Sequence, residues 1–185
     1  MQRDLVVRAQ AGDHDAFSAL AAASIEHLAG VARLILRGDD MAQDAVQEAL
    51  VGAWLDIRGL RDPDRFDAWL YRLLVRACYR SAKRLRGRRL VEIPMLPGDG
   101  PTTPDAYASL AARDQLERGF VRLRPEERAV LVVHHYLALS DAEAADVLDV
   151  PLGTVKSRLN RATHALRSAL AADDRQGAFV RESLV

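Results

Sequence analysis

Apolar residues recur along most of this chain at spacings of three and four, the period of a helix with one buried face. Leu20, Ile25, Leu28, Val31, Ala32, Ile35 and Leu36 fit stripes on one or two helices, and Gly38-Asp39-Asp40 breaks the pattern. The next helix starts near Met41, with Val46, Leu50, Ala53, Trp54 and Ile57 on its apolar side. Residues 58–64 read as a loop punctuated by Gly59 and Pro63. A further helix follows, carrying Phe66, Trp69, Leu70, Leu73, Leu74 and Ala77 at helical spacing. Pro94, Pro97, Gly98, Gly100, Pro101 and Pro104 then crowd a stretch in which neither helix nor central strand survives. Helical pattern resumes near Leu110 and runs to about Leu170, and the polar end of the chain is expected to fray. The pattern predicts an all-α protein with two small helical domains: one over 1–91, a flexible Pro/Gly-rich linker over 92–109, a second over 110–172, and a tail over 173–185.

Composition narrows the class. Aromatic residues are only 5% of the 185, so the cores must be built from Leu, Val and Ala. No apolar run approaches the ~20 residues of a membrane span, so no membrane insertion is expected. The polar start Met1-Gln2-Arg3-Asp4 does not read as a signal peptide. Cys78 is the single cysteine, which excludes an intrachain disulfide and suits a reducing cytoplasm. There is no glycine-rich phosphate loop, nucleophile elbow or zinc-ligand set, which argues against an enzyme and implies no cofactor. His134 and His135 are adjacent, face different sides of a helix and have no third ligand at a suitable spacing, so no metal is expected.

The zero net charge hides strong segregation. Residues 1–64 carry a net charge of −5, 65–91 of +8, 92–149 of −6 and 150–185 of +3. Two basic patches separated by acidic surface suggest two contacts with a polyanion. The stronger patch holds Arg72, Arg76, Arg80, Lys83, Arg84, Arg86, Arg88 and Arg89, with no acid between Ala68 and Val91. Four of its arginines repeat every four residues and stack on one helix face, where they repel one another unless a polyanion neutralises them. Tyr71 and Tyr79 lie among them, placed to stack on exposed bases.

The second patch belongs to a helix-turn-helix. Ser140 and Glu143 form a capping box at the start of one helix, whose buried side is Ala144, Val147 and Leu148. Asp149 sits where the chain must turn sharply. Gly is usual there, and Asp tolerates the left-handed conformation better than most residues. Pro151 stops the first helix, and Gly153-Thr154 starts the second, with Thr154 as its cap. Val155, Leu159 and Ala162 face inward, Lys156, Ser157, Asn160 and Arg161 outward, and Arg158 lies on the flank. A basic helix of this kind fits a major groove, where Arg and Lys meet phosphate or guanine and Asn reads adenine.

These residues resemble the extracytoplasmic-function (ECF) sigma factors, a small two-domain class of bacterial sigma factor. Residues 150–162 are similar to that family's region 4.2, and Leu123-Arg124-Pro125-Glu126-Glu127-Arg128 to the opening of region 4.1. Residues 44–54 resemble region 2.2 and residues 66–73 region 2.3, in the right order. The resemblance implies a transcription initiation factor that binds core RNA polymerase and directs it to promoters. Its region 2 would engage and help melt the −10 element, and its region 4 would bind the −35 element. The implied partners are core polymerase, double-stranded promoter DNA and the melted −10 strand, with an anti-sigma factor as a further candidate.

Carried onto this sequence, the resemblance assigns polymerase binding to Asp44, Gln47 and Glu48. It assigns −10 contacts to Arg61, Asp62, Arg65, Tyr71, Arg72, Arg76, Tyr79, Arg80, Lys83 and Arg84. The −35 contacts fall on Thr154, Lys156, Ser157, Arg158, Asn160 and Arg161. Carboxylates and an amide can pair with Arg and Asn on a partner helix, although an acidic helix face is more often merely solvated. The loop 59–65 sits where family members hold a flipped −10 base. Two departures stand out: Arg76 and Arg80 lie near positions where many members carry Asn and Asp, and His134-His135 replaces an aliphatic–Arg pair. A helix-turn-helix repressor is the alternative, but such a protein usually dimerises on a palindrome and would leave residues 44–73 unexplained. Opposite-sign blocks would also let the two domains pack on each other and cover both DNA surfaces.

Overall fold

The computed structural model describes residues 1–88, 116 and 118–182. The linker expected at 92–109, Arg89 and the last three residues lie outside the described residues, as do the side chains of Arg86 and Arg88. Every regular element among the described residues is helical. The first unit contains α1 (Gln2–Gln10), α2 (His14–Leu36), α3 (Asp39–Asp56) and α4 (Phe66–Arg88), with two 3₁₀ turns at Ile57–Gly59 and Pro63–Arg65. The second contains α5 (Pro125–Leu131), a π-helical turn (Val132–Tyr136), α6 (Asp141–Leu148) and α7 (Leu152–Glu182).

Local chemistry sets the helix ends. The Asp13 carboxylate accepts the Ala16 N–H at 3.0 Å and caps α2, and Arg8 braces it at 2.7 Å. The Ala16 N–H first, and then Arg8, hold the Asp13 carboxyl below its ordinary range. Ser140 caps α6 as expected: the Glu143 carboxylate accepts the Ser140 N–H at 2.9 Å and its hydroxyl at 2.6 Å. Asp149 ends α6 in the left-handed region at φ 56°. Between α2 and α3 the left-handed residue is Arg37 (φ 63°), not Gly38, which precedes α3 in extended backbone.

Three elements depart from the sequence pattern. Helix α7 begins at Leu152, directly after Pro151, so Thr154 lies inside its first turn rather than capping it. The same helix continues to Glu182, well past the expected end near Leu170. Residues 132–136 form a π turn, with the Leu137 N–H reaching the Val132 carbonyl at 3.0 Å.

In the first unit α2 is the central helix, packed by α1, α3 and α4. By length and composition it is apolar enough to cross a membrane, a property that a search for uninterrupted apolar runs does not register. Here Leu20, Leu28, Val31, Ala32 and Ile35 enter the protein core instead. The buried face of α3 is a stripe of small residues, Ala42, Ala45, Val46, Ala49 and Ala53, while Leu50 and Trp54 are only partly buried. Small side chains let α3 approach its neighbours closely. Among the large aromatics, Phe66 is fully buried, and Trp54 sits at the rim against His14 and Phe17. Cys78 is a buried thiol, pushed up to about 12 by burial, and so is inert at neutral pH.

The two units share one hydrophobic core. Helix α5 lies against α2, and α6 against α4. Arg128 of α5, only 7% exposed, pins the junction. Its guanidinium donates to the Ile35 carbonyl at the C-terminal end of α2, and to the Leu123 carbonyl of its own unit at 2.7 Å. A cation at a helix C-terminus is favourable, and a buried carbonyl left unpartnered is costly. Tyr136 extends the junction, stacking on His27 of α2 with ring centroids 5.7 Å apart. Arg128→Met is expected to lower stability by about 3 kcal/mol in chemical denaturation, whereas truncating the exposed Arg161 should change it by less than about 0.5 kcal/mol.

Candidate nucleic-acid interface

The arginines at 72, 76, 80 and 84 advance about 40° around α4 at each step of four, so the stripe winds. Its two ends consequently meet different neighbours. Arg80 and Arg84 turn toward α3 and donate to the two oxygens of Glu48, at 2.6 and 2.7 Å. Burial pushes the Glu48 carboxyl up, but the two guanidiniums outweigh it and hold the group below its ordinary range. Arg76 turns toward the second unit and donates to Asp149 at 2.6 Å, and Arg65 donates to Asp146 at 3.1 Å. Between them, Arg72 lines an open groove with Ala145, Asp146, Asp149, Val150 and Pro151. Lys83 is exposed.

The two candidate stacking tyrosines are not open. Tyr71 is half-buried beside His27. Burial, then the nearby Asp67, raises its hydroxyl above the ordinary value. The Tyr79 hydroxyl is buried without a hydrogen-bond partner and pushed up to about 12 by that burial, with Arg158 of α7 pulling it partly back. Arg158 is thus turned in part toward α4, and it is half-buried.

The rest of the basic face of α7 is presented outward. Val155 and Ala162 are fully buried and anchor the helix, leaving Lys156, Ser157, Asn160 and Arg161 exposed. Thr154 is half-buried, and its carbonyl accepts the Ser157 hydroxyl at 3.1 Å. The arrangement suits insertion of one helix edge into a groove.

Arg61 and Asp62 are exposed in the loop between α3 and α4. A residue without any motif of its own braces this loop: Gln10 of α1 donates to the carbonyls of Ile57 and Leu60, at 3.0 and 2.7 Å. Arg3 of the same helix pairs with Asp64 at 3.4 Å. A lone glutamine at the end of a short helix carries no sequence signal for this role.

On α3, Asp44 and Gln47 are exposed and unobstructed, whereas Glu48 is half-buried by its two arginines. Val51 and Leu55, 53% and 76% exposed, continue the same face. An apolar strip rimmed by acid and amide can dock on a partner helix. The spacing of 44, 47, 51 and 55 carries the signal for this strip, and assigning every apolar residue to the core hides it.

The fold and these surfaces define a helical DNA-binding protein in which a helix-turn-helix unit accompanies a separate cationic helical unit. Residues 20–89 match the family model for Sigma-70 region 2, and residues 113–166 that for Sigma-70, region 4. The ECF RNA polymerase sigma factor SigM of Mycobacterium tuberculosis is 30% identical over 167 residues, an alignment spanning 90% of this chain and 83% of that protein. SigW of Bacillus subtilis, another ECF sigma factor, is 26% identical over 181 residues, spanning 92% and 97% of the two chains. Among solved structures, CnrH in complex with the cytosolic domain of CnrY is 29% identical with a TM-score of 0.63, covering 93% of this chain and 98% of that one. The chain belongs to the ECF family of RNA polymerase sigma factors, a non-catalytic class of transcription initiation factor.

The Glu48 pair gives a pH signature. Because the folded carboxyl lies below its ordinary value of 4.5, its contribution to stability is complete above that pH and is lost as pH falls through the lowered value. Melting temperature should therefore drop below about pH 4.5, and Glu48→Gln should make that part of the drop shallower.

Proposed function

We propose that this sigma factor docks on core RNA polymerase through the exposed strip of α3, with Asp44 and Gln47 as its polar contacts and Glu48 positioning Arg80 and Arg84. In this reading α4 and the 58–65 loop engage the −10 element: Arg65, Arg72, Arg76, Arg80, Lys83 and Arg84 neutralise phosphates, and Tyr71 and Tyr79 receive unstacked bases once exposed. Arg61 and Asp62 sit at the loop tip, where a flipped base would be held. Lys156, Ser157, Asn160 and Arg161 read the −35 major groove, with Thr154 and Arg158 at its edges. The protein performs no catalysis of its own and works in the cytoplasm.

The observation that carries this reading is the presence, in one chain, of two separate cationic helical surfaces beside an apolar, acid-rimmed docking strip. A repressor needs one DNA surface and a dimer contact; this chain has two DNA surfaces and a third face for a protein. CnrH, to which the chain is similar, was solved in complex with the cytosolic domain of CnrY, and that likeness supports a regulatory protein partner here, of the anti-sigma kind.

Adding the protein to core polymerase on genomic templates should produce transcripts with defined starts. Absence of any start above core enzyme alone would end the proposal. Arg161→Ala together with Lys156→Ala should weaken binding to −35 duplex about tenfold or more and reduce the salt dependence by about two counterions, with polymerase affinity unchanged in pull-down titration. Asp44→Arg should lower polymerase affinity at least several-fold and leave duplex binding by α7 intact.

A further inference from the structure

Helix α1 is short and carries no motif, yet one of its faces is turned to the loop after α3. Val6 and Ala9 are buried and fix the helix against the core. Gln2, Arg3, Ala9 and Gln10 each stand three or four residues from Val6, so they share its face. Polar contacts run from that face to the whole length of the loop. Gln2 donates to the Asp67 carboxylate at 2.7 Å, where α4 begins, and Arg3 pairs with Asp64 at 3.4 Å. Both pairs are exposed and weak. Gln10 differs. It is half-buried, and its one amide nitrogen donates to the carbonyls of Ile57 and Leu60, at 3.0 and 2.7 Å. Those carbonyls stand at the two ends of a single turn, whose own hydrogen bond runs from the Leu60 N–H to the Ile57 carbonyl at 3.2 Å.

The loop depends on that support. Ile57, Leu60 and Phe66 are buried and pin it, while Arg58, Gly59, Arg61 and Asp62 are exposed. Farther along, the Asp62 carboxylate accepts the Asp64 N–H at 3.1 Å, and its carbonyl accepts the Arg65 N–H at 3.1 Å. Both of these bonds hold the second turn. The backbone at 57–60, which aims Arg61 and Asp62, is braced from α1. A site that tells one unpaired base from another must hold its groups within about 0.5 Å. An exposed loop without such a brace opens locally at little cost. The match to Sigma-70 region 2 starts at residue 20, so α1 stands outside the matched stretch.

We propose that Gln10 is a positioning residue for base selection in the −10 element: by tying the Ile57 and Leu60 carbonyls together, it fixes the backbone that presents Arg61 and Asp62 to an extruded base. Gln10 touches neither base nor phosphate; it acts through the loop. Two carbonyl oxygens converge on one nitrogen, so the position demands a donor. An amide or an ammonium serves, and a carboxylate of the same shape repels both oxygens. The proposal rests on the reading of the loop as the holder of a flipped base. It gives α1 a share in promoter choice rather than in overall affinity.

The test uses the full chain assembled with core polymerase, and forked DNA built from a start site that this holoenzyme itself selects. The unpaired −10 strand carries, at each position in turn, every base or an abasic residue, and affinity is read by fluorescence anisotropy. Wild type should prefer one base over the abasic residue by about tenfold or more at one position. Gln10→Glu should cut that ratio to about threefold or less, while affinity for the abasic fork and for −35 duplex stays within about twofold. Gln10→Lys restores the donors and should keep the wild-type ratio, its added charge shifting all probes alike. Gln10→Met removes the donors without the repulsion, and it serves if the glutamate variant fails to fold. An unchanged ratio in a folded Gln10→Glu or Gln10→Met chain overturns the brace. So does an equal loss on every probe, the mark of a purely structural role. If wild type selects no start, or shows no base preference at any −10 position, the reading of the loop falls, and the brace with it.

Discussion

Four arginines at four-residue spacing on one helix repel one another, and three of them, Arg76, Arg80 and Arg84, are met by carboxylates from two different neighbours. Because the spacing winds around α4, no single neighbour can supply every counter-charge. Glu48 on α3 serves Arg80 and Arg84, and the acidic edge of α6 and its corner serve Arg65 and Arg76. Each pair is exposed enough to contribute little by itself. Their importance is positional: they set which face of α4 meets which neighbour.

The shared core and the charge pairs act on different scales. Apolar burial across α2, α4, α5 and α6 holds the units together, and Arg128 ties the end of α2 to the second unit through a carbonyl that would otherwise be stranded. The ion pairs select the register of that contact. The residues at the junction, His27, Tyr71 and Tyr136, are aromatic and incompletely buried.

Much of the fold is legible in the sequence because it depends on local chemistry. The Ser140–Glu143 capping box, the left-handed Asp149 and the stop at Pro151 are each specified by a few adjacent residues, and the structure places them as the motif implies. Side-chain size is a poorer guide. On α3 the expected core face of Val46, Leu50, Ala53, Trp54 and Ile57 is only partly right: Val46, Ala53 and Ile57 are buried, Leu50 and Trp54 are half-buried, and Ala42, Ala45 and Ala49 complete the inner stripe. Gln10, which holds the loop after α3 by two carbonyls, has no local signature at all.

The sequence alone determined the all-helical class, the Ser140 cap, the segregation of charge and the family, since all of these reside in short-range pattern and in motifs of a dozen residues. Only the tertiary structure decided which cations are free. Arg76 and Asp149 lie 73 positions apart, each unusual where it stands, and nothing in either neighbourhood marks them as partners. That pairing follows from how α6 lies along α4, a matter of long-range packing rather than of local propensity.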